Sequence, residues 1–214
     1  MNTSTIIELV LFKTREGVNL EQFKVDMIRY NNFLKKSDGF LSRKIGVSTD
    51  GQYLDLMYFA DLDACSACAE RAEQDADLMA FQLGVMDTKI DQNSVYTRRF
   101  QVLNEMSVEE SKAAIAEIFI MRPKAGVNTQ AFESAMISFN DTLAHYKGLV
   151  MRENGVSAEG QYLELVYWTG LDAIESANEK VIQVEGAEIE SFFDMTDEDA
   201  EIVNRFEIFS DTNV

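Results

Sequence analysis

The sequence contains one pattern twice, 109 residues apart. At that offset, residues 5–70 align with residues 114–179 without a gap, and 25 of the 66 aligned pairs are identical. Self-similarity at a fixed offset of this size indicates duplicated structural units. We therefore predict two units, residues 4–103 and residues 113–212.

A polar linker, residues 104–112, separates the predicted units. Ser107 and Glu110 have the spacing of a capping box. In this motif the side chain of each residue accepts a hydrogen bond from the backbone N–H of the other. The spacing predicts a short helical turn in the linker.

Each unit shows the pattern strand, helix, strand, strand, helix, strand. Its first strand is almost continuously apolar, which is typical of burial on both faces. Asn19 stands where a helix N-cap belongs, and Gly51 supplies the turn of a hairpin. In the first unit the predicted strands are Ile6–Lys13, Leu41–Ser48, Tyr53–Ala60 and Ser94–Leu103, and the second helix begins near Asp61 or Asp63 and reaches about Gln74, with further helix up to Met86.

This βαββαβ order is the ferredoxin-like arrangement, an antiparallel sheet with two helices on one face. The other face stays apolar, and two units cover it when their sheets pack together. We therefore predict an α+β chain of two tandem ferredoxin-like units packed sheet to sheet. Such an internal pseudo-dimer is expected to be a monomer or a weak homodimer.

The chain is strongly acidic, with 19 Lys and Arg against 37 Asp and Glu and a formal charge of −18. This charge repels nucleic-acid phosphates and anionic lipid headgroups, and no basic stripe reverses it locally. We therefore expect no nucleic-acid partner and no membrane surface. We expect a small molecule instead.

The sequence also predicts the cellular compartment of the protein. No apolar run approaches the roughly 18 residues of a spanning helix, and the first residues show no secretion leader. The two cysteines, Cys65 and Cys68, are too few for a disulfide framework and are compatible with a reducing compartment. We expect a cytoplasmic protein.

Both repeats resemble the dimeric α+β barrel superfamily, and within it the antibiotic biosynthesis monooxygenase-like domains. The resemblance rests on the opening strand with its Gly-Val-Asn turn, on the glycine after the first helix, and on Tyr58-Phe59 or Tyr167-Trp168 before an Asp-Ala helix start. It implies an intramolecular dimeric α+β barrel. Members include cofactor-independent oxygenases of aromatic polyketides, quinol monooxygenases, haem-degrading enzymes and many proteins without an assigned activity.

Charged residues recur at equivalent places in the two repeats. Carboxylates lie within apolar strands, where an unpaired charge is costly to bury. Basic residues on the neighbouring strands can pair with them. The carboxylates are Glu8 and Glu117 on the first strand and Asp55 and Glu164 on the third, and the basic residues are Arg43 and Arg152 on the second strand and Arg99 and Arg205 on the fourth. The set is either an ionic network that fixes the sheet interface or a ligand site in which Glu8 or Glu117 accepts a proton from a phenol or quinol.

Aromatic residues follow the third strand of each repeat, where Tyr58, Tyr167 and Trp168 are either core residues or the walls of a ligand site. Haem-degrading members carry a Trp on this strand, an Asn on strand one and a His on helix two. Here strand one carries glutamates, the second helices have no His, and the single histidine, His145, is expected to be exposed. We therefore expect no haem, no other cofactor and no metal site.

Cys65 and Cys68 have the spacing of a redox pair near a helix N-terminus. Their counterparts Ile174 and Ala177 are packing residues, so the alternative is that the cysteines fill the core beneath the second helix.

Two functions stay open at this point. One is a monooxygenase-like barrel that binds a small hydrophobic or aromatic molecule and oxidises a phenolic or quinol substrate without a cofactor. The other is a non-catalytic small-molecule-binding or stress-associated protein. An open pocket in only one unit would favour specialisation for a ligand, whereas pockets closed by side chains in both units would favour the non-catalytic, structural interpretation.

Overall fold

The computed structural model describes residues 5–87, 95–184, 191–197 and 202–213. The chain divides into two compact units. The first contains the residues up to Gln101 together with those from Ile208 onward, and the second runs from Val102 to Glu207.

The first unit follows the predicted element order, and the further helix predicted up to Met86 is present as a separate helix, Ala76–Val85. Its elements are β1 (Ile6–Lys13), α1 (Leu20–Leu34), β2 (Phe40–Val47), β3 (Gln52–Phe59), α2 (Leu62–Gln74), α3 (Ala76–Val85) and β4 (Val95–Ser107). Strand β1 pairs antiparallel with β3 on one side and with β4 on the other, and β2 pairs with β3. The order β4-β1-β3-β2 puts the two most apolar strands at the centre of the sheet.

The second unit repeats this arrangement. Its elements are β5 (Ile115–Met121), α4 (Thr129–Leu143), β6 (Leu149–Ser157), β7 (Tyr162–Trp168), α5 (Leu171–Val184) and β8 (Ile202–Asn213). Strand β5 pairs antiparallel with β7 and β8, and β6 pairs with β7. The order β8-β5-β7-β6 corresponds strand for strand to that of the first unit.

Two long strands, β4 and β8, pass from one unit into the other, because the unit boundaries fall after Gln101 and after Glu207. In hydrogen-bonding order the strands run β1-β3-β2-β8-β5-β7-β6-β4 and return to β1. The chain is therefore an α+β protein with a closed antiparallel barrel of eight strands.

The helices begin where the capping residues predict. The side chain of Asn19 accepts a hydrogen bond from the Gln22 amide at 3.0 Å, and Asn128 accepts one from the Ala131 amide at 2.9 Å. Asp61 caps α2 in the same way. Each cap satisfies an N–H that the first helical turn leaves without a partner.

Gly39 lies in the turn between α1 and β2, and Gly148 lies in the turn between α4 and β6, with positive φ angles of 76° and 87°. A Cβ at Gly39 would lie 2.5 Å from the Ala64 Cβ, and one at Gly148 would lie 2.6 Å from the Ala173 Cβ. Only glycine therefore fits beneath the start of α2 and of α5. The recurrence of these glycines in the sequence has a steric cause.

The short helical turn predicted in the linker is wrong. Residues 104–107 belong to β4, where half-buried and exposed positions alternate, and the Val108 amide donates to the Val150 carbonyl oxygen at 2.9 Å. Strand alternation outweighs the capping-box spacing here. The unit limits 4–103 and 113–212 stay a prediction about the extent of the repeat.

Among the helices that the structure describes, none combines the length and the apolar character needed to cross a membrane.

Candidate functional site

The strand register places the predicted carboxylates on one face of each sheet. Glu8 lies opposite Met57, and Val10 lies opposite Asp55, so both acids point to the side that carries the helices. Arg99 lies opposite Glu8 on β4. The second unit has the same register, with Glu117 opposite both Val166 and Arg205. In each unit a cavity separates this face from the helices.

The cavity of the second unit has a volume of about 240 Å³. Its walls are mainly aromatic and aliphatic side chains from β5, β7, α4, α5 and the segment 191–197. The lining residues are Glu117, Phe119, Met121, Phe139, Thr142, Leu143, Glu164, Val166, Trp168, Ala177, Asn178, Phe192 and Phe193. This cavity therefore combines two carboxylates with mainly apolar walls.

Glu117 is buried, and both of its carboxylate oxygens accept hydrogen bonds. Arg205 Nε donates to Oε1 at 2.6 Å, and Trp168 Nε1 donates to Oε2 at 2.8 Å. A buried carboxylate needs such partners, because the charge is otherwise stripped of water without compensation. Glu117 is therefore held rigidly, with its charge balanced.

Glu164 is held at only one oxygen. Arg152 Nε donates to Glu164 Oε1 at 2.7 Å, while the two terminal nitrogens of Arg152 donate to Asn140 Oδ1 at 2.6 Å and to the Met136 carbonyl oxygen at 2.8 Å. Across the described ranges, Oε2 of Glu164 has no hydrogen-bond partner. This oxygen is an acceptor in the wall of the cavity.

The cavity of the first unit is larger, about 370 Å³, and more polar. Its lining residues are Glu8, Val10, Tyr30, Asp55, Met57, Ala69, Ala72, Glu73, Met79, Gln82, Met86, Val95, Thr97 and Arg99. The sequence-predicted acids of the first repeat both lie here. The two repeats therefore keep the chamber and differ in its chemistry.

Both acids of the first unit are ion-paired. Arg99 Nε donates to Glu8 Oε1 at 2.9 Å. Arg43 grips both oxygens of Asp55, with Nε to Oδ1 at 2.7 Å and Nη2 to Oδ2 at 2.5 Å. Arg43 is fully buried and also donates to Asn31 Oδ1 at 2.8 Å. Two-point contact of this kind fixes carboxylate and guanidinium in one geometry.

Burial controls the titration of the phenol and thiol groups near the cavities. Burial, with the Asp55 charge as the next cause, raises the pKa of Tyr30 well above its usual range. Burial and a hydrogen bond to Glu133 raise the pKa of Tyr162 to about 12. These phenols are protonated at neutral pH, so neither is a base.

Cys65 and Cys68 belong to the core, as the packing alternative holds. They pack with Leu34, Phe40 and Phe59 in one hydrophobic cluster. Burial raises the pKa of the Cys65 thiol to about 12, with the Glu8 charge as a further cause, and burial also raises the pKa of Cys68. A protonated, buried thiol is a poor nucleophile.

The structure brings some of the sequence-predicted aromatic residues to the cavities and not others. Trp168 lines the cavity of the second unit. Tyr58 and Tyr167 are buried on the opposite face, next to Met57 and Val166 along their strands, and line neither cavity. Arg43 and Arg152 lie behind the carboxylates that they bind. Side-chain alternation along a strand separates these groups.

His145 is exposed at the turn after α4, as the sequence predicts, and it lines neither cavity. The chain has no other histidine. Its residues therefore do not fit a haem group ligated by histidine.

Three groups of the site were not predicted from the sequence. Phe139 and Phe192 form much of the wall of the second cavity, with ring centroids 5.2 Å apart. Asn154 is fully buried on β6, and neither of its amide atoms has a partner among the described residues. Its counterpart in the first unit is Ile45, and this apolar-to-polar difference between aligned repeats was the available signal.

Solved structures share this fold. A candidate monooxygenase from Fusobacterium nucleatum subsp. nucleatum superposes with a TM-score of 0.73 at 12% identity, over 100% of this chain and 96% of its own. A candidate monooxygenase from Lactobacillus acidophilus gives 0.70 at 11% identity, over 98% and 96%. An anthrone oxidase-like protein gives 0.70 at 11% identity, over 98% and 93%.

No family model matches the sequence, and no curated protein matches it. The structural neighbours are monooxygenase-like proteins of the dimeric α+β barrel type. At 11–12% identity they establish a common fold, and function has to be argued from the cavities.

Proposed function

We propose that this chain is a monooxygenase-like barrel protein that binds a small hydrophobic, aromatic molecule in the cavity of its second unit. The supporting observation is an apolar chamber of about 240 Å³ whose wall contains two carboxylates. Phe119, Phe139 and Trp168 offer faces for a flat ring system. A phenol or an acidic C–H of such a ring system is the natural partner of a carboxylate.

The reaction that suits this chamber is a cofactor-independent oxidation. A carboxylate takes a proton from the bound molecule, and the resulting anion is electron-rich enough to reduce oxygen itself. The anthrone oxidase-like neighbour suggests anthrone as the first substrate to test. The balanced reaction is anthrone plus O₂ to anthraquinone plus water, in which the ring methylene is oxidised to a carbonyl.

The proposed roles of the residues follow from their places. Glu117, and Glu8 in the first unit, are the bases suggested by the sequence. Glu164 contributes a polar contact to the ligand site of the second unit, and Arg152 holds Glu164 from behind. Trp168 forms part of its wall. Asp55 and Arg43 are the equivalent ligand-site pair of the first unit.

Trp168 provides the test, because it is the chain's single tryptophan and it lines the cavity. We expect anthrone, titrated into the protein without oxygen, to quench its fluorescence saturably, and oxygen to be consumed when air is admitted. Free N-acetyltryptophanamide, titrated with the same anthrone solution, is the control for inner-filter effects. Absence of saturable quenching, checked by equilibrium dialysis, would refute binding of this substrate class.

A second function, binding without catalysis, is favoured by the ion pairs. Glu117 and Asp55 each have both oxygens engaged, and Glu8 is paired with Arg99. In this alternative the paired carboxylates fix the fold and orient a ligand, and they take no part in a reaction. Saturable quenching without any oxygen uptake would support this alternative.

We also propose that the chain is a tandem duplication of a ferredoxin-like, antibiotic biosynthesis monooxygenase-like unit that works as a soluble, cytoplasmic monomer. The aligned repeats, the matching element order of the two units and the charge of −18 support this proposal. Native mass spectrometry should give a mass of 24.2 kDa for one chain. A stable mass of twice that value would contradict it.

A further inference from the structure

We propose that Glu164, and not Glu117, is the residue that takes the proton from the bound substrate, and that only the second unit is chemically competent. This inference rests on the proposed function of the cavity in that unit. It assigns the base to a residue that the sequence marked only as a ligand contact.

The hydrogen bonds of Glu117 argue against its role as the base. Its Oε1 accepts from Arg205 at 2.6 Å and its Oε2 accepts from Trp168 at 2.8 Å. To take a proton, Glu117 has to lose either the short hydrogen bond from the charged Arg205 or the buried hydrogen bond from Trp168. Glu117 therefore positions the indole and the guanidinium, and the indole forms the wall against which a ring packs.

Glu164 differs from its counterpart Asp55 by one methylene group, and the difference frees an oxygen. Asp55 is gripped at both oxygens by Arg43 Nε and Nη2. In the second unit Arg152 Nη2 donates instead to the Met136 carbonyl oxygen at 2.8 Å, and only Nε reaches Glu164. Oε2 of Glu164 is left, among the described residues, without a donor in the wall of an apolar cavity.

A second difference between the units lies beside the first. Asn154 is directly opposite Glu164 in the β6–β7 ladder, is fully buried, and has an unpartnered amide within the described part of the chain. In the first unit Ile45 occupies this place opposite Asp55. An open carboxylate oxygen and an unpartnered buried amide thus lie on neighbouring strands of one unit, whereas the matching positions of the other unit are satisfied or apolar. A buried amide without a partner is the exception in folded proteins, but Asn154 does not line the cavity, so the proposal rests on the oxygen of Glu164.

The proposed oxidation consumes one O₂ for each anthrone. Glu164 Oε2 takes a proton from the ring methylene of anthrone, so a C–H bond breaks and an O–H bond forms. The carbanion adds to O₂ and gives a peroxide. Cleavage of the O–O bond leaves the new carbonyl and a hydroxide that carries the second methylene hydrogen, and the proton on Glu164 converts that hydroxide to water.

Proton transfer can be tested without the oxidation. With oxygen excluded and in D₂O, the full-length protein should speed exchange of the anthrone methylene hydrogens, followed by NMR. We expect Glu164→Gln to lower the enzyme-dependent exchange rate by at least about 100-fold, the usual contribution of a general base. In the pH profile of the exchange rate, the acidic limb should disappear in Glu164→Gln.

Two further variants separate chemistry from folding. Glu164→Asp retains the charge and recreates the Arg43–Asp55 pair, so it should fold and still lose most of the exchange. Glu117→Gln should lower the rate but retain the acidic limb. His145→Gln, an exposed change outside the cavity, should have no effect.

Each outcome is decisive. The assignment would be overturned if Glu164→Asp exchanged the methylene hydrogens at the wild-type rate. It would also be overturned if the acidic limb persisted in Glu164→Gln and disappeared in Glu117→Gln. Binding and exchange without oxygen uptake would refute the proposed oxidation and leave Glu164 as the base. Binding without exchange by the wild-type protein would overturn the inference and favour the non-catalytic function.

Discussion

Trp168 donates its indole N–H to Oε2 of Glu117 at 2.8 Å, deep within the second unit. The first unit has Phe59 at the place of Trp168, and Glu8 faces the Cys65 thiol there instead. The two repeats therefore pair glutamates at equivalent positions with different donors. This difference makes the contribution of the indole bond measurable.

Trp168→Phe should destabilise the protein by about 1–3 kcal/mol, because it leaves one oxygen of a buried carboxylate without its donor. The unfolding midpoint in urea, followed by circular dichroism, measures the change. Glu117→Gln and the double variant complete the cycle. Additive losses would show that the indole and the carboxylate do not interact.

Gly148→Ala should destabilise the protein more than Gly126→Ala does. Both glycines have positive φ angles, 87° and 88°, so both changes incur about 1–2 kcal/mol for a left-handed backbone. Only at Gly148 would the added carbon also meet Ala173, and overpacking adds about 1–3 kcal/mol. Equal losses in thermal unfolding would mean that α5 shifts freely to make room.

Arg43→Met should destabilise the protein by about 3–5 kcal/mol, since it leaves Asp55 as a buried carboxylate without its cation. Adding Asp55→Leu should recover much of the loss, because the buried charge is then removed as well. Denaturant unfolding of the single and double variants measures both effects. A double variant no more stable than Arg43→Met would contradict this account.

Stability should fall as the pH rises above about 9. The pKa of Cys65 is raised from 9.0 to about 12 in the folded state, so the folded protein retains its proton between these values while the unfolded chain loses it. The resulting stabilisation is complete below pH 9 and disappears towards pH 12. Cys65→Ala should weaken this pH dependence of the urea midpoint; an unchanged dependence would assign it to other groups.

The same burial should make both thiols inert in the native protein. An aromatic disulfide reagent at pH 8 should label neither Cys65 nor Cys68 until denaturant is added, and should then label two thiols per chain. Rapid labelling of the native protein would show that α2 opens and would revive the redox interpretation of the pair.

Much of the fold could be predicted because the same structural pattern occurs twice in the sequence. Asn19 and Asn128 mark the helix starts, and Gly39 and Gly148 recur for a steric reason that holds in both units. The pairing of Arg43 with Asp55 followed from neighbouring strands in the predicted sheet. Identical positions in the two repeats were thus reliable guides to shared structure.

The site was harder to predict. A residue that occurs in both repeats does not show in which unit its carboxylate keeps an oxygen that the neighbouring arginine does not bind. The exchange of Asp55 for Glu164 looks conservative, yet it changes how many oxygens the arginine covers. Tyr58 and Tyr167 were expected at a ligand site, but strand alternation turns them away from the cavities. Atomic contacts of this kind depend on side-chain lengths and register, which residue types alone do not specify.

The end of β8 belongs to the first unit, far from it in sequence. Thr212 Oγ1 accepts a hydrogen bond from Asn31 Nδ2 at 2.9 Å, and the Phe209 ring meets that of Tyr53, so the last residues of the second repeat complete the core of the first unit. Expressed alone, the first repeat would lack this strand segment. Cleavage of the chain ahead of Ile208 would therefore damage the first unit, although the cut lies outside residues 5–101.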